Sequence, residues 1–247
     1  MSAVPRAIHQ IPGIVGAGSR VAFDDAVCAP TSGDMPQSTE RRTHWENVYA
    51  DRDVSEVSWH QDTPDSSLQL IDHADVGPDE PIIDIGGGAC LLVDHLLHRG
   101  FRQMTVLDIS EAALDHARAR LGERAAEVRW ICADVIGVEL PERYRLWHDR
   151  AAFHFLTDPT DRERYRDTLL EALMPGGDAI LATFASDGPE KCSGLEVVRY
   201  TPEELGVELG ESFELIETWD EEHRTPGGAV QHFVFCRFRR RHLTADA

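Results

Sequence analysis

Four aspartates stand at or near the ends of short apolar runs in this chain: Asp84 in "PIIDIGGGAC", Asp108 in "MTVLDI", Asp134 in "EVRWICAD" and Asp149 in "YRLWHD". Each run has the composition of a buried strand. Directly after the first comes a turn of three glycines, Gly86, Gly87 and Gly88. Glycines in such a turn let a backbone approach a ligand closely, because there is no Cβ to keep it away. Carboxylates beside that turn oppose a phosphate and suit a ligand that carries positive charge or hydrogen-bond donors.

The elements around these residues alternate. Strands are expected over 81–85, 104–109, 127–134, 144–149 and 175–185, with helices over 90–99, 111–121 and 160–173 between most of them. Ser110 is placed to cap the helix that follows it, and Gly122 to end it. "TPEELGVEL" (201–209) reads as a short capped helix. "SFELIETWD" (212–220) and "AVQHFVFCRF" (229–238) read as an antiparallel pair joined by "EEHRTPGG". The fold class is α/β: a doubly wound, mostly parallel sheet with an antiparallel C-terminal hairpin. Ligands on such sheets bind beyond the carboxyl ends of the strands, at the point where the strand order reverses. Upstream, residues 1–38 read as a flexible leader and residues 39–247 as one domain. Its first part, 39–76, is a helical cap. There a helix over 37–53 sets Trp45 and Tyr49 on one face, and a helix over 63–74 has Thr63 as its N-cap and Pro64 at its first position. The loop between them, "VSEVSWHQ", carries Trp59.

The glycine turn does not serve a dinucleotide: after Gly86 and Gly88, Leu91 stands where the third small residue belongs. A phosphate-binding loop fails as well, since no Gly-Lys-Ser/Thr follows. The polarity fits S-adenosylmethionine (SAM), whose sulfonium and ammonium are cationic and would lie near Asp84. Asp108, 24 positions on, is placed to accept from ribose hydroxyls. Asp134 is placed to accept from an adenine amino group, with Val135 and Ile136 as apolar cover.

The chain carries 44 acidic and 24 basic residues, a formal charge of −20. Such a surface repels nucleic acid and anionic lipid, so neither is an expected partner. The basic run Arg237, Arg239, Arg240 and Arg241 reads as a solvated edge. Five scattered cysteines without a C-x-x-C pair fit a reducing cytoplasm and no zinc site. No apolar run is long enough for a membrane span, and no signal-peptide pattern opens the chain. Cytoplasmic localisation is the expectation, as a monomer or weak homodimer. His95 and His98, three apart, read as surface residues, and Cys90 as a small residue packed at a helix start.

"IIDIGGGAC", "VLDIS", "CADV" and "LMPGGDAIL" together resemble the class I SAM-dependent methyltransferases, over roughly residues 80–185. The resemblance implies a Rossmann-like seven-stranded sheet and SAM as cofactor. The implied cofactor-binding set is Trp45, Trp59, Asp84, Gly86, Gly88, Asp108, Ile109, Asp134 and Val135, with no metal. Three further segments, with "EEHRTPGG", resemble the thiopurine S-methyltransferase group. They are the N-terminal "HWENVYADRDVSEVSWHQ", the "HDRAAFHFL" after strand four, and the linker "SDGPEKCSGLEVVRY". His148 between Trp147 and Asp149, and the order His223-Arg224, depart from that group's W-D-R and E-E-R-H turns. On this resemblance Asp149, Arg150 and one of His223 and Arg224 form the catalytic set, orienting or deprotonating a thiol. The expected function is methyl transfer from SAM to a small molecule, a thiol or other soft nucleophile being favoured. The alternatives are a seven-strand protein lysine methyltransferase and a non-catalytic SAM-binding partner protein.

Overall fold

A computed structural model of the chain describes residues 36–51 and 53–242. In chain order, α1 (Pro36–Asp51) and α2 (Asp65–His73) precede β1 (Ile82–Ile85), α3 (Leu92–His98), β2 (Met104–Asp108), α4 (Glu111–Leu121), β3 (Val128–Cys132) and β4 (Tyr144–Arg150). Then follow α5 (Pro159–Ala172), β5 (Leu173–Phe184), the small hairpin β6 (Lys191–Cys192) and β7 (Leu195–Glu196), α6 (Pro202–Leu209), β8 (Phe213–Arg224) and β9 (Val230–Arg240). The main sheet has seven strands in the order β3-β2-β1-β4-β5-β9-β8. The β1–β2, β2–β3, β1–β4 and β4–β5 pairs are parallel, and β9 runs antiparallel to both β5 and β8. This is the doubly wound Rossmann-like architecture expected from the sequence. The order reverses between β1 and β4, which fixes where a ligand should sit.

Helices cover both faces, and β1 and β2 are buried at every position. Alternation along a strand divides the core in two. Ile82, Val106 and Leu146 pack with Leu70, Leu96 and Leu97 of α2 and α3. Ile83, Leu107 and Trp147 pack with Tyr165 and Leu169 of α5 and Leu205 of α6.

Local chemistry sets the element ends. The Ser110 hydroxyl accepts from Ala113 N at 3.2 Å, and Gly122 ends α4 at φ +57°. Thr201 and Glu204 form a capping box on α6. α2 differs from expectation: Pro64 is its N-cap, without a side-chain cap, and Thr63 lies outside. The expected turn "EEHR" is not a turn. β8 continues through Arg224, and the chain reverses only at Thr225–Ala229. The basic run is not simply a solvated edge either. Arg237 is 6% exposed, and Arg237 and Arg239, with Arg145, converge on the fully buried Asp178 at 2.9, 3.0 and 2.7 Å. A buried carboxylate needs such compensation. Among the described residues, Cys90, Cys192 and Cys236 carry free thiols. The leader expected over 1–38 lies almost wholly outside the described residues. Among the described residues no helix is long and apolar enough to cross a membrane, and no cluster of His, Cys, Asp or Glu is placed to hold a metal ion.

Candidate functional site

The three turn glycines are required for three different reasons. Gly86 leaves β1 at φ +66°, a conformation that favours glycine. A Cβ on Gly87 would fall 2.2 Å from Asp84 Oδ2, so this residue is more than a turn filler. A Cβ on Gly88 would fall 2.6 Å from Ala113 Cβ and 2.7 Å from Asp108 Oδ2. The turn is pressed between two carboxylates and the start of α4.

Asp108, at the end of β2, is fixed by backbone donors: Gly88 N at 3.1 Å and Ser110 N at 2.9 Å. Burial pushes its carboxyl up to about 6, against the pull of those two amides and with a further push from Asp84. Asp84 belongs to a buried chain. His148 Nδ1 lies 2.6 Å from Asp84 Oδ1, and His148 Nε2 lies 2.9 Å from Ser67 Oγ. The other oxygen, Asp84 Oδ2, is buried with no hydrogen-bond partner among the described residues. Asp134 is engaged by the N-terminal helix: Arg41 reaches it at 2.9 Å and Asp161 at 2.8 Å. Ile136 N donates to the remaining Asp134 oxygen at 3.1 Å.

Gly86, Asp108, Asp134 and Arg41 border a cavity that opens to solvent. One end is walled by Asp108, Ile109, Asp134, Val135 and Arg41. The other is walled by Arg150, Phe155, Cys192 and Phe233, with Trp45, Tyr49 and Trp59 from α1 and its loop also in the lining. A second pocket adjoins it through Gly86, Cys90, Trp59 and Arg150, and carries Asp84, Gly87, Ser67 and His148 in its wall. Trp45 meets Trp59 edge to face at 5.6 Å and Phe155 at 5.0 Å, which ties the N-terminal helix to both later segments.

Arg150 ends β4 with its side chain 7% exposed. Nη1 donates to the Trp59 carbonyl at 3.0 Å, and the guanidinium carbon lies 4.8 Å from the Phe233 ring centre. Burial lowers its pKa, opposed by the charge of Glu221. Burial pushes the Cys90 thiol up to about 12 and the Cys192 thiol up to about 11. Burial and the nearby Arg150 charge push the fully buried His154 down to about 3.

The rest of the expected catalytic set does not line the cavity. Asp149 is fully buried on the opposite face of β4 from Arg150, because successive strand residues alternate. It accepts from Ala152 N, Phe153 N and the Tyr165 hydroxyl at 2.9, 3.2 and 2.6 Å, and so shapes the turn after β4. Arg224 is exposed on the outer face of β8. His223 faces inward but stands behind the wall, with Nε2 donating to Ser58 O at 2.7 Å and its ring 6.1 Å from Phe233.

Sequence reasoning misses Arg41, His148, Cys192 and Phe233 as site residues. A signal for Arg41 exists: it lies four residues before Trp45 and eight before Tyr49, on the same helical face. For Cys192 and Phe233 no local signal exists, since their partners lie far away along the chain.

Residues 82–177 match a family model described as a methyltransferase domain. A malonyl-[acyl-carrier protein] O-methyltransferase of Anoxybacillus flavithermus is 37% identical over 86 residues, 34% of this chain and 32% of that protein. An eEF1A lysine and N-terminal methyltransferase of Danio rerio is 29% identical over 97 residues, 38% of this chain and 14% of that protein. The chain thus spans a third or less of the length of these curated relatives. The solved Burkholderia thailandensis 1,6-didemethyltoxoflavin-N1-methyltransferase, with its acceptor and S-adenosylhomocysteine bound, superposes with a TM-score of 0.63 at 17% identity. That alignment covers 89% of this chain and 98% of the other. Residues 82–177 thus resemble a methyltransferase domain, and the fold is shared with a solved methyltransferase.

Proposed function

We propose that the protein is a SAM-dependent methyltransferase acting on a small-molecule acceptor, a thiol or other soft nucleophile being favoured. The observation that carries the cofactor assignment is the buried, unpartnered Asp84 Oδ2 beneath a glycine turn that admits no Cβ. A buried acceptor left unpaired is costly, and the ammonium of SAM is a donor of the right charge. Asp108 would accept from the ribose hydroxyls. Ile109 and Val135 would flank the adenine near Asp134, while Trp45 and Trp59 would exclude water from above. When bound, SAM supplies an electrophilic methyl group on its sulfonium.

The acceptor preference rests on what the far end of the cavity lacks. The acids in its lining are Asp108 and Asp134, both at the adenosine end, and among the described residues no histidine lines it. Asp149 is turned away, and His223 stands behind the wall. An alcohol or an ammonium group must lose a proton to a base before attack, whereas a thiol ionises readily. Arg150 would favour the anion. The cover provided by α1 and the Trp59 loop suits a small molecule better than an extended protein segment.

The test is release of S-adenosylhomocysteine by purified protein with SAM, across thiols, amines, phenols, carboxylates and lysine peptides. Turnover of thiols supports the proposal. Turnover of peptides alone would establish a protein methyltransferase instead. Tight SAM binding with no turnover anywhere would leave a non-catalytic binding protein.

A further inference from the structure

His148 and Asp84 stand side by side in the centre of the sheet. They are register partners on the adjacent strands β4 and β1, so their side chains leave the same face. Both are buried, at 3% and 2% exposure. Their contact is short, Nδ1 to Oδ1 at 2.6 Å. The second ring nitrogen lies 2.9 Å from Oγ of Ser67, a residue of α2 that is itself 1% exposed. Three elements thus meet in one buried serine–histidine–carboxylate chain. An ionised carboxylate only accepts, so Nδ1 carries the proton. In the neutral ring Nε2 is then an acceptor, and the Ser67 hydroxyl donates to it. Both ring nitrogens are satisfied, and Asp84 Oδ1 is taken. Asp84 Oδ2 is left over, buried and without a hydrogen-bond partner among the described residues. It lies so close under the glycine turn that a Cβ on Gly87 would fall 2.2 Å from it. Ser67, Asp84, Gly87 and His148 all line the second pocket.

We propose that His148 is a positioning residue for the cofactor: it fixes the Asp84 carboxylate through Oδ1 and so holds Oδ2 as the free acceptor for the ammonium of SAM. The proposal rests on the methyltransferase reading and deepens it, by naming the residues that act on the cofactor through Asp84. The sheet fixes the backbone of His148, and Ser67 fixes its ring and its tautomer. Asp84 is then held at one oxygen and cannot rotate to satisfy the other. An acceptor oriented in advance needs no reordering when its ligand arrives, which favours binding. A residue that only filled this space would not need two polar atoms, since each buried one must be matched by a partner. Here both are matched, on opposite sides of the ring, and the match leaves the carboxylate with one free oxygen.

The test is calorimetric titration of the full chain with S-adenosylhomocysteine and with its deaminated analogue S-(5′-adenosyl)-4-thiobutyrate, which keeps the carboxylate and lacks only the ammonium. The wild type, His148→Phe, His148→Asn and Ser67→Ala are compared. The wild type is expected to bind S-adenosylhomocysteine at least about tenfold more tightly than the analogue. His148→Phe keeps a ring but neither hydrogen bond, and should cut that preference to about twofold or less. Its affinity for the analogue should stay within about threefold of wild type, which also shows that the variant folds. His148→Asn keeps a donor beside Asp84 Oδ1 and should restore most of the preference, while Ser67→Ala, which only loosens the ring, should lower it to about a third. A preference that survives in His148→Phe would overturn the proposal, by making Asp84 independent of the ring. Equal loss of both ligands in His148→Phe, or no rescue by His148→Asn, would overturn it by making His148 a packing residue. Should His148→Phe fail to fold, an undiminished preference in Ser67→Ala would overturn it. Equal binding of the two ligands by the wild type would remove Asp84 as the ammonium acceptor, and the proposal with it. Failure of the wild type to bind S-adenosylhomocysteine would instead remove the methyltransferase reading on which it stands.

Discussion

The two ends of the cavity are built in opposite ways. The proposed adenosine end is acidic and local: the glycine turn, Asp84 and Asp108 lie within one strand–helix–strand unit, and hydrogen bonds such as Gly88 N to Asp108 span 20 residues. The proposed acceptor end is cationic and non-local. Arg150 touches Trp59 across 91 residues, and His223 touches Ser58 across 165. The first end has groups fixed by backbone donors, and the second has side chains held by one another. Substitutions at the first should therefore act through backbone geometry and be severe, whereas those at the second should shift selectivity.

Gly88→Ala should produce the largest effect. The added methyl would fall 2.6 Å from Ala113 Cβ and 2.7 Å from Asp108 Oδ2, so the turn and α4 must separate. Overpacking of this kind costs about 1–3 kcal/mol of stability. Cofactor binding should fall below calorimetric detection while the fold persists by circular dichroism. Unchanged binding would mean that the turn is not the close-approach element, and the contrast between the two ends would collapse.

Asp108→Ala comes next. It removes a proposed partner of the ribose and also strands the Gly88 and Ser110 amides, at about 1–3 kcal/mol for each buried donor left unpaired. Cofactor affinity should fall by about tenfold or more. The wild type should also show a pH signature. Because the folded carboxyl titrates at about 6 rather than 3.8, the empty protein binds a proton there that the unfolded chain has released. Its contribution to stability is therefore greatest below 3.8 and declines as pH rises towards 6. A cofactor that needs the carboxylate binds the ionised form, so affinity should drop as pH falls below about 6, and Asp108→Ala should flatten that slope. A wild-type affinity constant from pH 5 to 8 would count against the ribose role.

The same contrast explains what is legible in the sequence. The strands, the helices between them and the acids at the strand ends follow from periodicity and turn chemistry within stretches of about ten residues. Asp84, Asp108 and Asp134 can therefore be located from their own neighbours in the chain. Asp149 cannot, because one residue of phase in β4 decides which face a side chain takes, and Arg150 takes the cavity face. Glu221-Glu222-His223-Arg224 resembles a turn because it is polar. As an extension of β8 it alternates instead, and this separates His223 from Arg224. His148 is inconspicuous in the sequence, yet it fills the space between Asp84 and Ser67, a pairing that depends on β1 and β4 being neighbours.

Arg41→Ala tests whether the N-terminal helix belongs to the adenosine end. The guanidinium, 20% exposed, bridges Asp134 and Asp161, and its loss leaves two mostly buried carboxylates without that cation. A destabilisation of about 1 kcal/mol is expected, between an exposed ion pair and a fully buried one. Faster cofactor release should accompany it, measured by stopped-flow, because α1 would be held over the cavity by fewer contacts. Release unchanged alongside lower stability would make the bridge structural only.

The smallest effect is expected at Arg224, and its value lies in its neighbour. His223 and Arg224 adjoin in sequence, but the first is 4% exposed against the Trp59 loop and the second points to solvent from β8. Arg224→Ala should leave turnover within about twofold of wild type, as for most exposed substitutions. His223→Ala should lower it, because the loop that supplies Trp59 O to Arg150 loses its anchor at Ser58. The reverse pattern would require β8 to shift by one residue, exchanging its two faces. Residue by residue, it would replace His223 with Arg224 against the Trp59 loop.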